Sequence, residues 1–153
     1  MRPGHIQAAS LTILALALCL CPGQARAQSA DIKVETQLVW ATNDSSSPDP
    51  AHKPVQPDLR KRLKELPFKW SNYFEVNRKD VELAANAKQK VELSEKCDLE
   101  VKNLGNSMIE VALYGKGEKV VKRTQTLPKG EILVLGGNAP NETAWLVVVK
   151  RVK

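Results

Sequence analysis

Apolar side chains recur at every second position in segment after segment of this sequence, a period that belongs to strands with one buried face. Ile32, Val34, Thr36, Leu38 and Trp40 alternate with Lys33, Glu35, Gln37 and Val39. The pattern returns at Val81 and Leu83, at Val91 and Leu93, at Leu99 and Val101, and at Ile109, Val111 and Leu113. Turn residues punctuate it: Tyr114-Gly115-Lys116-Gly117-Glu118 reads as a hairpin connection, and Leu127-Pro128-Lys129-Gly130 carries the proline and glycine of a tight turn. Residues 132–135 and 145–149 are continuous apolar runs, expected of strands near a sheet centre with both faces covered. The intervening Gly136-Gly137-Asn138-Ala139-Pro140-Asn141 is expected to be the loop that joins them. Eight or nine short strands predict a mainly β fold, an antiparallel β-sandwich-like domain or a strongly curled sheet.

One helix interrupts the strands. After a first strand over 28–40, residues 41–57 are rich in Ser, Asp, Asn and Pro, and Pro48, Pro50, Pro54 and Pro57 each remove a backbone donor. This stretch is expected to be a semi-extended loop, with 58–153 forming the rest of a single domain. A short helix is predicted over 58–66: Pro57 suits its first turn, Asp58 complements its dipole, and Leu59, Leu63 and Leu66 recur at helical spacing. Pro67 ends it. The following Phe68-Lys69-Trp70-Ser71-Asn72-Tyr73-Phe74 holds four of the seven aromatics that follow residue 27, and is expected to plug the core beneath the helix.

The first 27 residues read as a cleavable signal peptide. Arg2 supplies a positive start, residues 11–21 are apolar apart from Thr12, and Pro22 and Gly23 break any helix. Ala25 and Ala27 are small residues where a signal peptidase reads them, so cleavage is expected between Ala27 and Gln28. The apolar run is about half the roughly 20 residues a bilayer requires, so no transmembrane helix is expected after cleavage. A lipid on Cys19 or Cys21 is disfavoured because Leu18 and Leu20, rather than small residues, precede them. The expected location is periplasmic or secreted. Removing 27 of 153 residues leaves 126, with 21 basic and 17 acidic side chains and a net charge near +4. That length buries a core without disulfide staples. Cys97 is then the single cysteine, expected on the apolar face with Leu99 and Val101.

The run Leu38-Val39-Trp40-Ala41-Thr42-Asn43, the basic helix, and Leu66-Pro67-Phe68-Lys69-Trp70-Ser71-Asn72-Tyr73 follow one another in an order that resembles a loose group of small exported bacterial proteins. The resemblance covers about half of the mature chain. It implies the compartment and a β-rich domain, and brings no catalytic residue with it.

Chemistry is narrowed by elimination. With His5 in the signal, His52 is the single histidine of the mature chain, in the proline-rich loop, where the sequence shows nothing to orient its ring. Glu95, Asp98 and Glu100 around Cys97 would raise its pKa, which argues against a thiol nucleophile. Ser45, Ser46 and Ser47 lie in loop composition, away from any strand-to-helix nucleophile turn. Zinc lacks its ligands, and Asn43, Asp44 and Asp49 match no calcium loop. Glu92, Glu95, Asp98 and Glu100 are better read as solvent-facing charges than as a glycosidase pair. Gly136-Gly137 precedes no helix that would complete a phosphate site. No cofactor or metal is assigned, and no enzyme activity.

Binding remains. Arg60, Lys61, Arg62 and Lys64, followed by Lys69 and Trp70, form the local basic cluster with aromatics nearby, the residues expected to meet an anionic surface or a partner. An exported compartment argues against nucleic acid. An envelope protein or an anionic envelope surface is the expected partner of a non-catalytic accessory or binding domain. Two alternatives stay open: a subunit of a larger envelope or export assembly, marked by an unpaired edge or apolar strip, and a small envelope hydrolase, marked by convergence of His52, an acid and a nucleophile.

Overall fold

A computed structural model describes residues 31–153 of the chain. The expected signal peptide and its cleavage site fall outside these residues. The strands are β1 (Ile32–Thr42), β2 (Lys53–Pro54), β3 (Asn72–Leu83), β4 (Lys88–Ser94), β5 (Cys97–Gly105), β6 (Met108–Gly115), β7 (Glu118–Thr126), β8 (Ile132–Ala139) and β9 (Thr143–Arg151), and the helix is α1 (Pro57–Glu65). They form two antiparallel sheets, one ordered β2-β3-β1-β9-β8 and the other β4-β5-β6-β7. The fold is mainly β and sandwich-like, as the alternation predicts.

The alternation of β1 sorts its residues between two cores. Ile32, Val34 and Leu38 face the second sheet and join Val81, Leu83, Leu99, Val101, Ile109, Val111, Val147 and Val149 in the inter-sheet core. Val39 and Ala41 face the other way, toward Leu59 and Leu63 of α1 and toward Trp70, Tyr73, Leu146 and Val148. The five-stranded sheet is therefore covered on both sides, which explains the unbroken apolar run of β9. A register shift between Leu38 and Val39 against β3 marks where β1 changes its burial pattern.

The helix forms as its spacing requires. Pro57 occupies its first turn beside Asp58, while Arg62 and Lys64 stand in the last turn. Leu59 and Leu63 are buried, and the amide of Leu66 caps the end by donating to the Leu63 carbonyl at 3.3 Å. Tight hairpins rest on left-handed residues, Asn106 and Ser107 before β6 and Lys116 and Gly117 before β7.

Several boundaries differ from the sequence reading. The first strand extends through Ala41 and Thr42, because these pair with Tyr73 and Asn72 of β3. The loop contains a two-residue pairing, Lys53 and Pro54 against Glu75 and Phe74. Gly136, Gly137, Asn138 and Ala139 are strand, not loop: they pair with residues 143–146, leaving only residues 140–142 as the turn. β8 is also a sheet edge rather than a central strand. β7 escaped the periodicity because Glu118–Thr126 is solvated on both faces except at Val121.

Candidate functional site

Arg60, Lys61 and Lys64 are exposed on the helix face opposite Leu59 and Leu63, and Lys69 is exposed just beyond the helix. None of the four makes an ion pair among the described residues, although the Arg60 guanidinium lies 3.5 Å from Asn72 Oδ1. Elsewhere some lysines are ion-paired, Lys33 with Asp80 at 3.0 Å, Lys88 with Glu100 at 3.2 Å, Lys90 with Asp98 at 2.9 Å and Lys122 with Glu110 at 3.0 Å, while Lys96, Arg123 and Lys129 are among those that make no ion pair among the described residues. Two of these pairs take up Asp98 and Glu100, the carboxylates that flank Leu99. Asp80, beside the Lys33 ammonium, holds the pKa of that lysine above its ordinary value.

Two members of the expected cluster do different work. Arg62 turns back onto the domain, donating to the Gly130 carbonyl at 2.7 Å and approaching Glu131 at 3.9 Å. Trp70 is buried rather than offered to a partner: its Nε1 donates to the Glu142 carbonyl at 2.6 Å, with Phe68 packed against its ring. Tyr73 beneath it donates from its hydroxyl to the Trp70 carbonyl at 3.0 Å, and burial raises its pKa. The aromatic segment plugs the core beneath the helix as expected, and its sequence proximity to lysines says little about its exposure.

Cys97 is half-buried against the inter-sheet core rather than enclosed in it. Burial, then the Asp98 carboxylate, pushes its thiol up to about 11. The alternation places Cys97 on the apolar face with Leu99 and Val101, and that burial outweighs the neighbouring carboxylate.

The proline-rich loop holds an arrangement that composition alone conceals. Ser47 Oγ lies 2.7 Å from His52 Nδ1, and Asp49 Oδ2 lies 3.6 Å from Nε2, so the imidazole is oriented after all. The serine oxygen also accepts from the Asp49 amide at 3.4 Å, and Asp49 Oδ1 accepts from the Ala51 amide at 2.8 Å. Further bonds fix the loop to the start of β3: Asn43 Oδ1 accepts from the Ser71 amide at 3.0 Å, and Asn72 Nδ2 donates to the Asp44 carbonyl at 2.8 Å.

That braced loop faces the β8–β9 turn across an open cleft of about 510 Å³. Trp40 forms part of its lining, with residues 44–48 on one side and Pro140, Asn141 and Thr143 on the other. Trp145, paired with Trp40 across the β1–β9 ladder, packs against it with ring centroids 4.5 Å apart and planes inclined at 61°. Trp145 is 42% exposed, so the inner face of the five-stranded sheet emerges here from under its partner sheet. The alternation of both strands places each tryptophan on that face, but their pairing was not legible without the register. Comparison with protein-family models, curated proteins and solved structures finds no match to this chain.

Proposed function

We propose that this chain is an exported, non-catalytic binding domain of the cell envelope that meets an anionic envelope surface through the basic face of α1. The observation that carries this reading is the clustering of Arg60, Lys61, Lys64 and Lys69, exposed and without acidic partners among the described residues, on and just beyond one helix face. Unneutralised cations on one rigid face give a longer-range attraction to anions than ion-paired ones. The signal-like N-terminus and the resemblance to small exported bacterial proteins support the compartment. Among the described residues no helix is long and apolar enough to cross a membrane, so the proposed contact is peripheral.

The test compares wild type with the combined Arg60→Gln, Lys61→Gln, Lys64→Gln and Lys69→Gln variant on phosphatidylglycerol vesicles, phosphatidylcholine vesicles and an anionic envelope polymer. Wild type should bind the acidic surfaces, lose binding as salt shortens the screening length below about 10 Å, and lose it on substitution. Equal retention of both proteins on every acidic surface, or retention indifferent to salt, would refute the reading.

A hydrolytic reading has one observation in its favour, the Ser47, His52 and Asp49 contacts. All three come from one loop, and the serine oxygen bonds to Nδ1 while also accepting a backbone amide, an arrangement suited to bracing. Labelling by a fluorophosphonate probe that disappears in both Ser47→Ala and His52→Ala would favour the hydrolase; absence of labelling would remove it.

A further inference from the structure

We infer that the cleft beside Trp40 and Trp145 is a binding site for a neutral glycan. The inference does not rest on the basic helix face. An exposed indole on a sheet whose strands are otherwise mostly covered costs apolar burial, and Trp145 stands 42% exposed beside Trp40 at a 4.5 Å ring separation. Trp40 lines a cleft whose volume, about 510 Å³, falls within the roughly 300–1,000 Å³ of ligand sites, and Trp145 packs edge-on against Trp40 beside it.

The lining chemistry selects the ligand class. The negative face of an indole attracts the polarised C–H groups that a pyranose ring presents on its apolar side. Around it, the Ser45 and Ser46 hydroxyls, the Asn141 amide and the Asp44 carboxylate line the cleft, and none makes a side-chain hydrogen bond among the described residues. Hydroxyls and amides both donate and accept, as sugar hydroxyls do, and a carboxylate accepts two hydroxyl protons. No basic side chain lines the cleft, so its single charge, that of Asp44, disfavours an anionic polymer. A proline-rich peptide shares the preference for tryptophan, but its proline carbonyls can only accept and leave the Asp44 carboxylate without a donor.

The walls are held in place before any ligand arrives. Ser47 is bonded to His52, Asn43 to Ser71 and the Asp44 carbonyl to Asn72 on one side. On the other, Thr143 donates to the Pro140 carbonyl at 2.7 Å and Trp70 holds the Glu142 carbonyl at 2.6 Å. Fixed walls lower the ordering cost of binding, so a shallow cleft can retain a sugar.

The test titrates the full chain with neutral oligosaccharides, β-1,4-glucan, α-1,4-glucan and β-1,4-linked N-acetylglucosamine oligomers, and with a proline-rich peptide, reading tryptophan fluorescence and calorimetry. At least one oligosaccharide should bind saturably. Trp145→Ala should weaken it by roughly tenfold or more, and Asp44→Asn should weaken it, with an unchanged melting temperature confirming that both variants fold. The combined helix glutamine variant should bind the same sugar as wild type does, which separates failure here from failure of the helix reading. Saturable binding of the peptide alone, absence of binding to every oligosaccharide, or sugar binding that survives Trp145→Ala would each overturn the proposal.

Discussion

The indole nitrogen of Trp70 donates a 2.6 Å hydrogen bond to the carbonyl oxygen of Glu142, 72 residues further along the chain. Glu142 sits at φ 56° in the β8–β9 turn, so this bond clamps a left-handed turn residue to the segment that enters β3. Trp70→Phe keeps most of the apolar bulk but removes the donor, and is expected to cost about 1 kcal/mol in urea unfolding. Trp70→Ala also empties the core under α1 and is expected to cost about 3–5 kcal/mol. No loss in Trp70→Phe would show that the bond contributes nothing to stability, and equal losses in the two variants would show that packing adds nothing beyond it.

Leu63 and its charged neighbours should separate stability from surface chemistry. Leu63 is fully enclosed against the outer face of the five-stranded sheet, so Leu63→Ala is expected to lower stability by about 2–5 kcal/mol. The combined glutamine variant of Arg60, Lys61, Lys64 and Lys69 should leave stability within about 0.5 kcal/mol of wild type, since those side chains are exposed and make no ion pair among the described residues. A large loss in that variant would mean that the basic face stabilises the fold.

Cys97 should alkylate slowly. With its thiol pushed up to about 11, the native thiolate fraction at pH 8 is roughly two hundred times smaller than that of the unfolded chain, whose thiol titrates near 8.5. Native labelling should therefore be slow at pH 8, accelerate toward pH 11, and become fast in urea at any pH near 8. The folded pKa lies above the unfolded one, so the stability this thiol contributes is complete below the unfolded value near 8.5 and is lost as pH rises through about 11. Native labelling at pH 8 as fast as in urea would contradict the burial of the sulfur.

Gly136 and Gly137 should respond differently to the same added methyl group. A Cβ on Gly136 would run into the Trp145 carbonyl oxygen and lie 2.8 Å from Leu146 Cδ2, whereas one on Gly137 would meet nothing within 4 Å. Gly136→Ala is expected to destabilise by about 1–3 kcal/mol through forced displacement of β8 from β9. Gly137→Ala should be neutral or slightly stabilising, because it reduces the freedom of the unfolded chain. Thermal melts that shift equally would show that β8 tolerates the displacement.

The sequence by itself determined which residues face inward and where the strands turn. Side-chain direction in a strand reverses with every residue, so Val34 and Leu38, or Val147 and Val149, declare a common face without any knowledge of their partners. Helix α1 was equally local, with Pro57, Asp58 and the Leu59–Leu63 spacing all acting within about two turns. Local signals failed where pairing overrode composition. β7 carries almost no apolar side chain and is a strand because β6 supplies its hydrogen-bond partners, while Gly136 and Gly137 are strand because the closeness of β9 excludes a side chain at Gly136. Tertiary structure alone decided that β1 lies between β3 and β9, that Trp40 meets Trp145, that Trp70 turns inward while Lys69 stays in solvent, and that Ser47 and Asp49 close around His52. Periodicity records how one segment divides its own faces between core and solvent; strand order and register depend on the summed burial and hydrogen bonding of distant segments, which no single segment records.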